Sequence, residues 1–398
     1  MGGRHKYCSV LIGMKKNIFA VFIILAAAAK APALDLNFDG RTGGSASFSG
    51  ATPALPAGIA AAGGQAGLNP LSGETVAPGV FEIPFRAASR RAPLTAAERE
   101  AEFLFILGKM ETVYSHLENK QRLFGFSYAA VRSDYLSRVR AAGSDAEYRA
   151  AVQSFIRLFS DPHLGAYFYD GLPQQNPQLP PAVVNTLTGD GILITRVSRL
   201  YGEQEEFEKG LGESLEMAKT ARALVVDMRG NGGGNDGYTR AYISLLVDHP
   251  IPTGKVTIKI SSETLARYGE LEEDQEHPGW TPLSSGMINP RGDSPFRGPV
   301  AMLVDGRCVS SCEGSAVMFK FSGMARLYGE TTMGSSGYPV TIPLPYSSGS
   351  VRIPTWIQLQ PDGTPIEDHG IEPHVIVESA RALDAALMDI RAKLAPAR

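Results

Sequence analysis

Apolar residues recur at helical spacing from Leu94 onward. Phe103, Leu107, Met110 and Tyr114 share one face behind Thr95-Ala-Ala-Glu98, a capping-box signature. A second helix is predicted over Tyr128 to Ala141. A third begins after Ser144-Asp145 and carries Tyr148, Val152, Phe155, Ile156 and Phe159. These elements define a small N-terminal helical region, residues 94–165. Beyond it the period shortens. Gly191 to Val197 predicts a strand, Glu203 to Thr220 a polar helix, and Ala223-Leu-Val-Val-Asp-Met228 a strand apolar on both faces. That strand runs into Arg229-Gly-Asn-Gly-Gly-Gly234, and a helix follows over Tyr238 to Val247. Val256 to Ser261 predicts a strand, and 262–298 a polar, Pro- and Gly-rich excursion. Pro299 to Asp305 is a second buried strand, followed by a turn and a helix starting near Ser310. Arg326 to Gly329 is a short strand. Gly337 to Leu344 and Ser350 to Leu359 suggest a hairpin, and Ser379 to Leu394 a closing helix. The alternation over 166–398 predicts an α/β core with some antiparallel strands.

The first 93 residues follow neither period. Ile18 to Ala29 is an apolar run of 12 residues, behind Lys15 and Lys16 and ahead of Ala31-Pro32-Ala33. That combination predicts a secretory signal peptide over 1–33, with Met14 opening its compact form. A spanning helix needs about 20 residues, so no integral membrane segment is expected after signal removal. The mature chain is expected in the periplasm or secreted. Between Gly40 and Gly79 only Arg41 and Glu74 are charged, so 34–93 reads as a Gly/Ala/Pro-rich linker. Composition adds three constraints. A net charge of −3 argues against a nucleic-acid partner. Gly 43 and Pro 27 exceed what regular elements use, so the excess belongs in the linker and in turns. Three cysteines are too few for a disulfide scaffold.

Four short segments carry candidate chemistry. Gly306 to Gly314 lies past the carboxyl end of a buried strand and opens a helix, where open α/β sheets bind ligands. A serine there is either a nucleophile beside free amides or a plain N-cap with Glu313 at N3. The run Gly232 to Gly234 either brings bare N–H groups to a ligand or merely turns the chain. His163, after Asp-Pro and before glycine, is either a general base or structural. Ile366 to His374 packs three carboxylates and two histidines, but no HExxH or paired-cysteine spacing supports a metal. No cofactor or metal is expected.

Taken in chain order, these segments resemble the tail-specific, or C-terminal-processing, serine protease family. Val225-Val-Asp-Met-Arg-Gly-Asn-Gly-Gly-Gly234 is similar to its hallmark strand and glycine turn. Ser310-Ser-Cys-Glu313 is similar to its Ser-Ala-x-Glu nucleophile turn. Gly329-Glu-Thr-Thr-Met-Gly334 and Gly370-Ile-Glu-Pro-His374 resemble the motifs that follow. The resemblance spans about residues 95–378. It implies a ClpP/crotonase-like core of mixed β-sheet with flanking helices, and Ser310 as nucleophile. Many members place a lysine base 25 residues further on, where this chain has Ser335. That departure points to the branch resembling the tricorn core and the retinoid-binding repeats, in which an Asp-x-His motif supplies the base. Asp161-Pro-His163 matches it, and Glu367 maps to the glutamate before the closing motif. The hydroxyl residue that links histidine to glutamate is replaced by Pro162, which leaves Asp161 or another hydroxyl, Ser335 among them, to orient the ring.

The resemblance implies acyl transfer: His163 takes the Ser310 proton, and Ser311 with Gly233 or Gly232 supplies the oxyanion donors. Gly233 is preferred, because the family's commoner turn has proline at the position of Gly232. About 60 residues separate His163 from Leu224, too few for a PDZ domain beside the predicted strand and helix. Cys308 and Cys312 flank the nucleophile at i, i+4. They are either a disulfide in an exported protein or two buried thiols. The expected activity is an exported serine endopeptidase acting on peptides or unfolded proteins. The alternatives are a non-catalytic binding protein for apolar ligands or peptides, and a hydrolase of non-peptide esters.

Overall fold

The computed structural model describes residues 92–169, 179–292 and 295–395. The predicted signal peptide and nearly all of the linker lie outside the described residues.

Thr95 closes a reciprocal capping box with Glu98 and starts helix α1, Ala96–Val113. A helix that periodicity missed follows: α2, Leu117–Phe124, ended by Gly125 in the left-handed conformation. Helices α3, Tyr128–Ala141, and α4, Asp145–Arg157, start on Ser127 and Ser144, whose side chains accept N–H groups of the first turn. Their apolar faces meet in an aromatic cluster in which Phe155 packs edge-on against Phe103 and Phe159. This cluster is closed by Val340, Ile342, Val351 and Ile353, residues far along the chain. They belong to a three-stranded antiparallel sheet of β1, Gly165–Phe168, with β9, Val340–Pro343, and β10, Gly349–Ile353. The helical region and the later hairpin therefore share one core.

The second core is built on a six-stranded sheet. Its elements in chain order are β2, Val183–Leu187; β3, Ile192–Val197; β4, Ala223–Asp227; β7, Val300–Val304; β8, Ala325–Gly329; and β12, Val375–Ile376. The order across the sheet is β12-β8-β7-β4-β3-β2, with the β2–β3 pair antiparallel and the others parallel. Every residue of β4 and β7 is buried, as a strand covered on both faces requires. Their side chains alternate between two clusters. Leu224, Val226, Met302 and Val304 face the layer holding α5, Gln204–Ala218, α6, Gly237–Ser244, and α8, Ser311–Phe321. Val225, Ala301 and Leu303 face the closing helix α9, Ala382–Leu394.

The excursion at 262–298 has structure of its own. It contains α7, Ser262–Tyr268, and β6, Ser284–Ile288, which pairs antiparallel with β5, Ile251–Ile258. The segment expected as one strand, Ser350 to Leu359, divides at Pro354-Thr355. Its second half, β11, Trp356–Leu359, leaves the hairpin and pairs with β5 instead. Proline lacks the N–H that a continuing ladder would use.

The turns at the carboxyl ends of β4 and β7 are locked by backbone approach. A Cβ on Gly234, whose φ is +143°, would lie 1.9 Å from the Leu200 carbonyl oxygen. Gly234→Ala should therefore lower stability by about 2–4 kcal/mol, read as a shift in the urea midpoint.

Candidate active site

The strand-end turns meet through one carboxylate. Asp305, just past β7, accepts the N–H of Gly230, past β4, at 2.9 Å and its own turn's Arg307 N–H at 3.0 Å. The chain then enters Cys308-Val-Ser-Ser-Cys312, and the two cysteines form a disulfide. Both are buried, and because their sulfurs are bonded the disulfide is the one of the two readings that is found. Between them Ser310 stands at φ 61°, ψ −122°, as the residue before the first turn of α8. A non-glycine residue rarely holds that conformation, and where it does the surroundings impose it. Ser310 is half-buried, and its side chain stands at the amino end of a helix.

Glu313 imposes the conformation. Its carboxylate is fully buried and accepts four donors: Thr332 Oγ1 at 2.6 Å, Gly334 N–H at 2.7 Å, Ser335 N–H at 3.0 Å and Ser310 N–H at 3.1 Å. Burial pushes the group up to about 7, while these donors favour the ionised form. The effect is to bind the 332–335 turn to the head of α8. The Ser310 N–H also donates to the Ser335 carbonyl at 3.1 Å.

Ser335 in turn reaches the histidine. His163 lies in the loop between α4 and β1, nearly fully buried, and its Nδ1 is 2.7 Å from Ser335 Oγ. Burial pulls the imidazole down to about 4, against the charge of Asp161, so it is neutral at pH 7. Asp161 does not bond the ring. Its Oδ1 accepts the His163 backbone N–H at 2.8 Å and its Oδ2 accepts the Tyr114 hydroxyl at 2.9 Å. Among the described residues no hydrogen bond joins the ring to the Ser310 hydroxyl, although Ser335 bonds both residues.

Glu367 does not touch His163 by any hydrogen bond. Its carboxylate accepts the Ser336 N–H at 2.9 Å and pairs with the Lys120 ammonium at 2.7 Å. With Pro162 in place of the linking hydroxyl, Glu367 is not joined to the ring: the buried lysine draws the carboxylate to itself, and its link toward His163 runs through the 335–336 backbone. His116, Asp161 and Glu367 bring one ligand atom each within 4.8 Å of one another. Lys120 already supplies the positive charge there, which is why this donor set is read as an ion-pair network. The histidines of the 366–374 segment do not converge. His374 Nδ1 accepts the Leu327 N–H of β8, and His369 Nδ1 bonds the Glu367 carbonyl.

The glycine run also departs from expectation. The Gly233 N–H donates to Asn231 Oδ1 at 2.8 Å, so it is spoken for. Gly233 is instead needed for space: a Cβ there would lie 2.9 Å from Ser310 Cβ and 3.1 Å from Ser311 N, and its φ is +88°. Among the described residues the amides of Gly232 and Ser311 have no hydrogen-bond partner, and the Ser311 hydroxyl donates to the Gly234 carbonyl at 2.6 Å. Lys120 had no sequence signal, because a residue on a short polar helix gives no hint of a partner 248 positions away, and the apolar stripe that located Tyr114 did not show its hydroxyl's bond to Asp161.

Residues 192–377 match the family model described as peptidase family S41. Similar solved structures include a candidate peptidase from Parabacteroides merdae, with TM-score 0.58 at 17% identity over 75% of this chain and 98% of that one. Mature CPAF gives TM-score 0.55 at 13% identity over 75% and 96%. A lipoprotein from Streptococcus agalactiae gives 0.51 at 16% identity over 77% and 99%. These likenesses show the fold. A protein of Chlamydia pneumoniae is 22% identical over 217 residues, 41% of this chain, and the match spans 35% of that protein's length.

Glu313→Ala would leave four donors facing an apolar hole and should cost about 3 kcal/mol or more in denaturant unfolding. The depressed His163 has a pH signature too. A histidine at about 4 when folded, against about 6.5 unfolded, contributes stability present above pH 6.5 and lost as pH falls through 4. Relative to His163→Gln, the wild type should lose about 3 kcal/mol between pH 7 and pH 4 in urea titrations.

Proposed function

We propose that this chain, whose residues 192–377 match the model of peptidase family S41, is an exported serine endopeptidase with Ser310 as nucleophile and His163 as general base. The observation that carries the reading is the Ser310 turn itself. A half-buried serine is held at positive φ where a buried strand meets a helix, with an unpaired amide on the next residue. That is the geometry of a nucleophile presented on a sharp strand-to-helix turn.

The mechanism follows from the bonds around it. With Nδ1–H donated to Ser335 Oγ, the other ring nitrogen, Nε2, carries the lone pair. With substrate bound, His163 takes the Ser310 Oγ proton; such contacts are commonly long before substrate is present. The alkoxide oxygen bonds the peptide carbonyl carbon, and the C–O π pair moves to oxygen. The Ser311 and Gly232 amides, with the positive end of α8 behind them, receive that charge. The intermediate collapses, the C–N bond breaks, and the imidazolium returns its proton to the departing amine. Water then repeats the sequence on the acyl-enzyme. Ser335, at the position where many relatives carry lysine, orients the ring in this scheme.

The substrate class is a peptide or an unfolded protein, which the family supports. Export rests on the signal segment at 1–33 together with the Cys308–Cys312 disulfide, which persists in an oxidising compartment. No helix among the described residues is long and apolar enough to cross a membrane.

Casein and peptide-library cleavage by matched variants tests the scheme. Ser310→Ala should lose about 10⁴-fold or more in kcat while keeping its fold. Ser335→Ala should lose about 100-fold with a small change in KM, because the ring loses its orienting partner. Full activity in Ser310→Ala would overturn the reading, and binding of apolar ligands without any cleavage would favour a non-catalytic binding protein.

A further inference from the structure

One fully buried cation plays no part in the scheme above. Lys120 lies on α2 of the helical region. Its side chain has no exposure, and its ammonium is 2.7 Å from Glu367 Oε1 and 2.6 Å from Asp368 Oδ1. A buried ammonium is costly unless carboxylates compensate it, and here two do. Burial pulls Lys120 down, but the Glu367 charge and the hydrogen bonds to both carboxylates outweigh it and hold the lysine protonated.

Both carboxylates sit on the segment that grips the active-site turn. Asp368 stands at φ 63°, and its N–H donates to the Gly334 carbonyl at 2.8 Å. Glu367 Oε2 accepts the Ser336 N–H at 2.9 Å. The two segments pass so close that a Cβ on Gly334 would meet the Gly370 nitrogen at 2.8 Å. Between Gly334 and Ser336 lies Ser335, whose hydroxyl holds His163 and whose carbonyl holds the Ser310 N–H.

We propose that Lys120 is a positioning residue for the Ser310 site: by clamping Glu367 and Asp368 it fixes the 334–336 turn, and through Ser335 it sets the orientation of His163. The inference rests on the peptidase reading and extends it, because it makes the helical region a supplier of site geometry as well as of His163. The charged and titratable groups facing the Lys120–Glu367 pair are Tyr114 and His116 from the α1–α2 junction, Asp161 from the loop after α4, and Asp368. Burial and the Asp161 charge push Glu367 up, and Lys120 opposes them. Without the lysine, Glu367 takes a proton at higher pH and no longer holds the Ser336 N–H firmly.

The test compares full-length wild type, Lys120→Met and Lys120→Arg in peptide cleavage across pH, with ¹⁵N-histidine NMR of His163 as a readout independent of turnover. Lys120→Met should lower kcat about tenfold or more with KM nearly unchanged, since orientation and not binding is lost. Its acid limb should move to higher pH, and the His163 ring signals should shift. Lys120→Arg should restore all three. Unaltered kcat and His163 signals in Lys120→Met would overturn the proposal. So would a loss of kcat with an unmoved pH profile and no rescue by arginine. If Lys120→Met does not fold, Lys120→Gln is read in its place, and failure of both to fold assigns the lysine to stability alone and also overturns the proposal. A wild type that cleaves nothing speaks against the peptidase reading, while the His163 signals still decide the role of Lys120.

Discussion

The buried carboxylate of Glu313 is the constraint on which the site depends. A carboxylate placed out of water needs donors, and four converge on it from two separate segments. Three come from the 332–334 turn and the residue after it, and one from Ser310. Satisfying this one group therefore fixes the distance between the nucleophile turn and the turn that carries Ser335. The positive φ of Ser310 is tolerable because the alternative is to leave a buried charge without partners.

The consequence is a site assembled from two cores. The six-stranded sheet supplies Ser310, Ser311 and the glycine run, at the carboxyl ends of adjacent parallel strands β4 and β7. The helical core supplies His163, Asp161 and Lys120. The two cores meet at 334–336, where Ser335 faces His163 and Ser336 faces Glu367. The disulfide closes the nucleophile turn from inside, and Asp305 ties it to the neighbouring strand end. Each device removes freedom from a turn that must hold a strained residue, which is how a reactive conformation survives in a marginally stable chain.

Much of this was legible in the sequence. Helical periodicity located α1, α3 and α4, and the capping-box signature at Thr95 marked the start of α1. Uninterrupted apolar runs identified β4 and β7, because a strand covered on both faces has no polar side to show. The short elements were not legible. Helix α2 has too few apolar positions to make a stripe, β1 and β2 are half-exposed strands, and the partner of β1 is β10, far along the chain. Glycine spacing pointed to a crowded turn at 232–234, yet it did not tell which glycine was present for its N–H and which for its missing Cβ.

The sequence by itself determined the local chemistry: a serine at the head of a helix, glycines where backbones crowd, two cysteines able to close a short loop, and Asp161-Pro-His163 after the helices. These follow from short-range sterics and hydrogen bonding, which a few neighbouring residues dictate. Tertiary structure alone decided which groups bond. It gave Glu367 to Lys120 instead of the histidine, the Gly233 amide to Asn231, and the His163 ring to Ser335. The physical reason is that a buried polar group bonds whichever partner packing brings within about 3 Å, and that proximity is set by long-range closure of two cores.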